Sequence, residues 1–117
     1  MSCPEFIAES FALGTAARLL HLTTRSYAQH MALGDFYDGL ADLIDQYAEV
    51  YMGLDNALRS FPSVKPPSGQ AIELLEDYLT SIQAEASEDH DSEALKNILA
   101  EIEALTARTL YKLRNLK

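Results

Sequence analysis

The sequence predicts an all-α fold, a four-helix bundle, on three observations. Four long segments carry apolar residues at helical spacing, no stretch alternates with the period of a strand, and the prolines fall at 4, 62, 66 and 67, outside those segments. With 117 residues, 48% of them hydrophobic, the chain has the size of one domain spanning 1–117 and can bury a modest core that oligomerisation would extend.

Ser2 followed by Glu5 forms a capping box, with Pro4 in the first turn, and opens a first helix running to about Leu22. Phe6, Ile7, Leu13, Ala17 and Leu20 form its apolar face, and Ala8, Ala12, Gly14, Ala16 and Ala17 keep it thin enough for close approach by a neighbour. Thr23 to Ser26 is a short turn, and Ser26 with Gln29 repeats the capping box. The first two helices therefore form a tight antiparallel hairpin, which brings His21 and His30 to one end of the bundle.

Helix two runs from about Ser26 to Met52, with Leu33, Phe36, Leu40, Ile44, Tyr47, Tyr51 and Leu54 on its apolar face and Gly53 as a break. Asp38, Asp42, Asp45 and Glu49 lie within a separate wedge of roughly 60°. Like charges one turn apart repel by a few tenths of a kcal/mol per pair, a cost that a cation would remove. The plain reading of this column is the solvated face of an acidic helix.

The proline-rich stretch after helix two is a connection and not a domain boundary. Leu54 to Pro67 spans about 45 Å if nearly extended, enough to run the length of a bundle only if residues 54–60 leave the helix. Otherwise an up-down-up-down order follows. Ser68 is the expected cap of helix three, with Ile72, Leu75, Tyr78, Leu79 and Ile82 as its stripe. After a polar loop at Ser87 to Asp91, helix four starts near Asp91 or Ser92 and buries Leu95, Ile98, Leu99, Ile102, Leu105, Leu110 and Leu113. Arg108, Lys112, Arg114 and Lys117 gather at its C-terminal end, where cations oppose the helix dipole. His90 sits among acids in the loop and reads as a solvated histidine.

A net charge of −9 and a pI near 4.6 argue against nucleic-acid binding and suit cations or a basic partner. No run of about 18 apolar residues predicts a membrane span, and the N-terminus lacks the pattern of a secretory signal, so the expected location is the cytoplasm. The single cysteine, Cys3, excludes an intrachain disulfide and reads as a small, inert residue.

Carboxylates and imidazoles together are the ligand set of Fe(II) and other first-row divalent ions. No Glu-x-x-His pair occurs, which disfavours a di-iron centre inside one bundle. The order His30, Phe36-Tyr37-Asp38-Gly39-Leu40-Ala41-Asp42, Asp45, Glu49, down to Met52-Gly53, resembles the second helix of the Dps family of ferritin-like iron-oxidising proteins. Ile102-Glu103, Tyr111 and Leu113 of helix four are also similar. The chain departs from that family in having Leu22 after His21, where tryptophan is usual, and a turn about three residues shorter.

The resemblance implies a ferritin-like fold of compact form, such as a phage or mobile element would carry. It implies metal ligands His21 and His30 from one chain facing Asp45 and Glu49 of a symmetry mate, with His30, Asp45 and Glu49 in the catalytic role and Asp38 and Asp42 as accessory acids. The implied cofactor is non-haem iron. The implied activity is Fe(II) oxidation by peroxide or oxygen and storage of ferric mineral by a homo-oligomer, dimers assembling to twelve subunits. The alternative is a non-enzymatic helical oligomer that keeps the scaffold and binds or sequesters a protein or small molecule.

Overall fold

The computed structural model describes residues 2–88 and 92–117; the loop residues Asp89, His90 and Asp91 lie outside the described residues, so the reading of His90 has no structural counterpart. The described chain is four α-helices: α1 (Cys3–Thr23), α2 (Tyr27–Gly53), α3 (Ala71–Ala86) and α4 (Glu93–Asn115). Strands are absent among the described residues.

Local chemistry sets most boundaries. The Ser2 hydroxyl accepts from the Glu5 amide at 3.3 Å, Ser26 from the Gln29 amide at 3.2 Å and Ser92 from the Leu95 amide at 3.2 Å. Each hydroxyl satisfies an amide that has no partner within its helix. Two boundaries differ from expectation. Ser68 does not cap α3, whose N-cap is Gln70 without a side-chain bond, because Gly69 adopts φ 134° and holds the backbone out of the helix. Nor is Gly53 the residue that turns out of α2. Asp55 takes the left-handed conformation, φ 69°, and its amide bonds the Met52 carbonyl at 3.1 Å.

The helices pack in the ring order α1, α2, α4, α3. Direction follows from cross-helix contacts. His21 of α1 meets His30 of α2, and Phe6 meets Tyr47 at a ring separation of 5.7 Å, so α1 and α2 are antiparallel. Ser10 bonds Tyr78 at 2.7 Å, and Leu13 shares a groove with Leu74, so α1 and α3 are antiparallel too. Lys112 approaches Asp35 at 3.9 Å and Arg114 bonds Glu76 at 2.7 Å, which sets α4 against both α2 and α3. Thus α2 and α3 run in the same direction. The chain must return along the whole of α2, 27 residues and roughly 40 Å, before α3 can begin. Residues 54–70, free of helix, make that return, with Leu58 against the core and Val64 and Pro67 beside the groove between α1 and α3. Of the two topologies open in the sequence, the long crossover is the one formed.

The core lies on the axis. Phe6, Ile7, Leu33, Phe36, Leu40, Ile44, Tyr47, Leu75 and Ile102 are all fully or almost fully buried. The apolar faces expected of α1 and α4 point inward, with Leu20, Ile98 and Leu113 at its margin, whereas Leu54 is exposed beyond the end of α2. On α3, Leu74 and Glu85 are buried and Ile72 and Leu79 only partly so. Ser10, Thr106 and Thr109 enter the core by donating their hydroxyls to the carbonyls four residues earlier, at 2.7–2.8 Å. No described helix is long and apolar enough to cross a membrane.

Two substitutions test this backbone reading by urea denaturation. Gly69→Ala is expected to lose about 1 kcal/mol or more, because a Cβ is strained at that φ. Asp55→Gly should gain about 0.5 kcal/mol by relieving the left-handed aspartate.

Candidate functional site

The α1–α2 turn is so short that the last turn of α1 lies beside the first turn of α2, and the two half-buried histidines meet there. Their rings stack with centroids 3.8 Å apart and planes 15° from parallel. His30 Nδ1 lies 2.8 Å from the His21 carbonyl, and His21 Nδ1 lies 2.6 Å from the His30 carbonyl. A carbonyl oxygen can only accept, so each Nδ1 carries the proton and donates. In the neutral rings both Nε2 atoms are therefore left with their lone pairs. The His21 carbonyl is among the last four of α1, which have no intrahelical amide, so the bond also satisfies a helix end.

Three neighbours hold this pair. Tyr37, one helical turn beyond Leu33, sets its ring edge-on to His21 at 5.3 Å, and the Arg18 guanidinium sits 4.9 Å over the other ring system, that of Tyr37. Gly34 supplies the space. A Cβ there would lie 3.1 Å from His21 Cε1 and 3.3 Å from its Nδ1. Sequence reading singled out the histidines but not Gly34 or Arg18. The available signal was position: Gly34 follows His30 by one turn and so shares its face of α2.

Asp38, Asp42, Asp45 and Glu49 are all exposed on α2, as a solvated acidic face would be. Within one chain they do not join the histidines. Fifteen residues of helix separate His30 from Asp45, roughly 22 Å. No group of three or more His, Cys, Asp or Glu side chains suited to one metal ion occurs among the described residues. A site using both sets needs a second chain.

The surface carrying them is uneven in charge and polarity. Near the turn it presents Arg18, Arg25, Leu22, Tyr27 and Met31, all exposed; farther along α2 it presents the acids. Between them a shallow groove is lined by Phe11, Gly14, Thr15, Arg18, Tyr37 and Ala41. Of the basic cluster of α4, Lys112 and Arg114 are spent on bridges to α2 and α3, in keeping with a structural role.

A second polar cluster lies at the opposite end, in the core. Tyr47 and Glu85 are wholly buried, Cys3 is 7% exposed, and the Tyr47 hydroxyl donates to Glu85 Oε2 at 2.5 Å. Cys3 lies close enough for its thiol to feel the charge of this carboxylate. Burial, reinforced by the adjacent Glu85 charge, pushes the thiol up to about 12. Burial and the bond to Glu85 likewise raise Tyr47 well above the usual phenol range, and burial raises Tyr51. A thiol so held is not a nucleophile at neutral pH. The sequence signal for Glu85 was its place three residues after Ile82, on the buried stripe of α3.

The chain matches DUF5856, a family of unknown function, over residues 21–113, and it belongs to that family. No curated protein matches it, and no solved structure does. The matched span begins at His21 and takes in His30, Asp45, Glu49, Tyr47 and Glu85.

A pair of glycine substitutions tests the histidine packing. Gly14→Ala, where a Cβ meets nothing within 4 Å, should gain about 0.5–1 kcal/mol from helix propensity. Gly34→Ala, where the ring of His21 is fixed from both sides, should forfeit that gain and lose about 1 kcal/mol in thermal or urea unfolding. Cys3 is expected to react with iodoacetamide at pH 8 only when denaturant unfolds the chain.

Proposed function

We propose that the chain is a compact ferritin-like protein of the Dps type, which oxidises and sequesters Fe(II) at a site shared between two subunits. The observation that carries this reading is the reciprocal histidine pair. Metal-binding imidazoles characteristically donate one ring N–H to a carbonyl or carboxylate, which fixes the tautomer and leaves the other nitrogen for the ion. His21 and His30 both have that arrangement. The other two ligands would be Asp45 and Glu49 of a second copy. They lie four residues apart on one exposed helix face, so both can reach one ion.

Charge supports the pairing. A two-fold, antiparallel apposition of the α1–α2 surface would set the basic, apolar turn end of each chain against the acids of the other, and each contact would be made twice. Asp38 and Asp42 would extend the negative field along the approach to the site. The long crossover and the ring order of the helices agree with a ferritin-like topology. Fe(II) is the substrate in this reading. Peroxide or oxygen takes its electrons, and a closed shell of twelve such chains would hold the ferric product.

The second reading is a non-enzymatic helical oligomer. It is favoured by the use of both Nδ1 protons to lock the hairpin, a role that needs no metal.

Stopped-flow absorbance separates the two. Anaerobic Fe(II) exposed to peroxide or air should give ferric absorbance faster than a protein-free control, and His30→Ala and Glu49→Ala should each abolish the acceleration. A wild-type rate equal to the control would leave the scaffold reading. Light scattering adds the assembly: a mass of twelve chains supports storage, and a dimer limits the protein to oxidation.

A further inference from the structure

The cluster of Tyr47, Glu85 and Cys3 takes no part in the reading above. It places a phenol, a carboxylate and a thiol in the core, where α1, α2 and α3 meet and apolar side chains would pack at lower cost. Its chemistry is narrowed by elimination. The thiol is held neutral, so neither nucleophilic attack nor thiolate ligation is open to it at neutral pH. What the geometry does offer is a phenolic O–H aimed at a carboxylate oxygen 2.5 Å away, in a site closed to solvent. A phenol so placed can lose an electron and pass its proton to the carboxylate in one step, which avoids the high-energy phenol radical cation.

We propose that Tyr47 and Glu85 form a one-electron redox site, with Tyr47 the electron donor and Glu85 its proton acceptor. In the balanced step, a one-electron oxidant of the hydroxyl- or azide-radical class gains an electron and becomes the anion. The Tyr47 O–H bond breaks, a carboxylic O–H forms at Glu85 Oε2, and Tyr47 is left as a neutral phenoxyl radical. Burial keeps that radical from water and from other chains. Tyr51, half-buried one helical turn along α2 and close enough to feel the Glu85 charge, gives the electron a path to the surface. The aromatic contacts from Tyr47 to Phe6 at 5.7 Å, and from Phe6 to Tyr78 at 6.0 Å, form a second path through the core.

The test uses the full-length protein without metal, so its outcome is independent of the iron reading. Azide radicals generated by pulse radiolysis oxidise tyrosines, and phenoxyl absorbance reports their lifetime. Wild-type protein should show a long-lived fraction that is lost in Tyr47→Phe. Glu85→Gln, which removes the proton acceptor but keeps the shape, should reduce that fraction by at least about tenfold. A long-lived signal equal to wild type in either variant, with helical circular dichroism intact, would overturn the proposal. The wild-type decay itself needs no variant: a phenoxyl signal with no fraction that outlives the radical of free tyrosine would refute the site.

Discussion

Two hydrogen bonds that cross between helices, each from an imidazole to the other histidine's carbonyl, fix the relation of α1 to α2. The turn between the helices is too short to allow other geometries once both rings are engaged. The bonds satisfy a carbonyl at the end of α1, hold the two rings in register and decide which nitrogens face away from the backbone. Gly34, Tyr37 and Arg18 then make sense as the walls of that pair and not as separate surface features. The same bonds stabilise a hairpin and leave the Nε2 atoms of the neutral rings with their lone pairs, which is why one geometry supports both functional readings.

The crossover is the second constraint. Because α2 and α3 run in the same direction, every neighbouring pair in the ring is antiparallel, and the outer surface of α1 and α2 is left clear of the return segment, which packs near α1 and α3. That surface carries the acids, the turn-end bases and the shallow groove. Closing the opposite end, Glu85 ties α3 to α2 through Tyr47, with Cys3 of α1 buried beside them. A carboxylate with those partners does more to specify one arrangement of three helices than another leucine would.

Much of the fold was legible in the sequence because helical period, capping serines and proline placement act locally. Ser2, Ser26 and Ser92 cap as their spacing implies. Ser68 failed because the decisive residue was its neighbour Gly69, whose left-handed backbone is a property of the chain path and not of capping chemistry. The direction of α3 was open until the end of α2 was known, since two or three extra turns of helix would have left too little chain to cross over. At the candidate site the histidines were found by their type and by the hairpin they flank. Gly34 was passed over because its role depends on a ring arriving from another helix. Glu85 was passed over for the opposite reason. It stands on an apolar stripe, and its bonding partner, Tyr47, lies 38 positions earlier in the chain, beyond any local pattern.

The central claim is that ligands from two chains complete one site, and mixing defective subunits tests it most directly. His30→Ala and Glu49→Ala proteins, each expected to be inactive in iron oxidation alone, are unfolded together and refolded as a mixture. Sites shared between chains would regenerate one intact His30–Glu49 pair in each mixed dimer, restoring about a quarter of wild-type activity on statistical pairing. A mixture no more active than its parts would contradict the account.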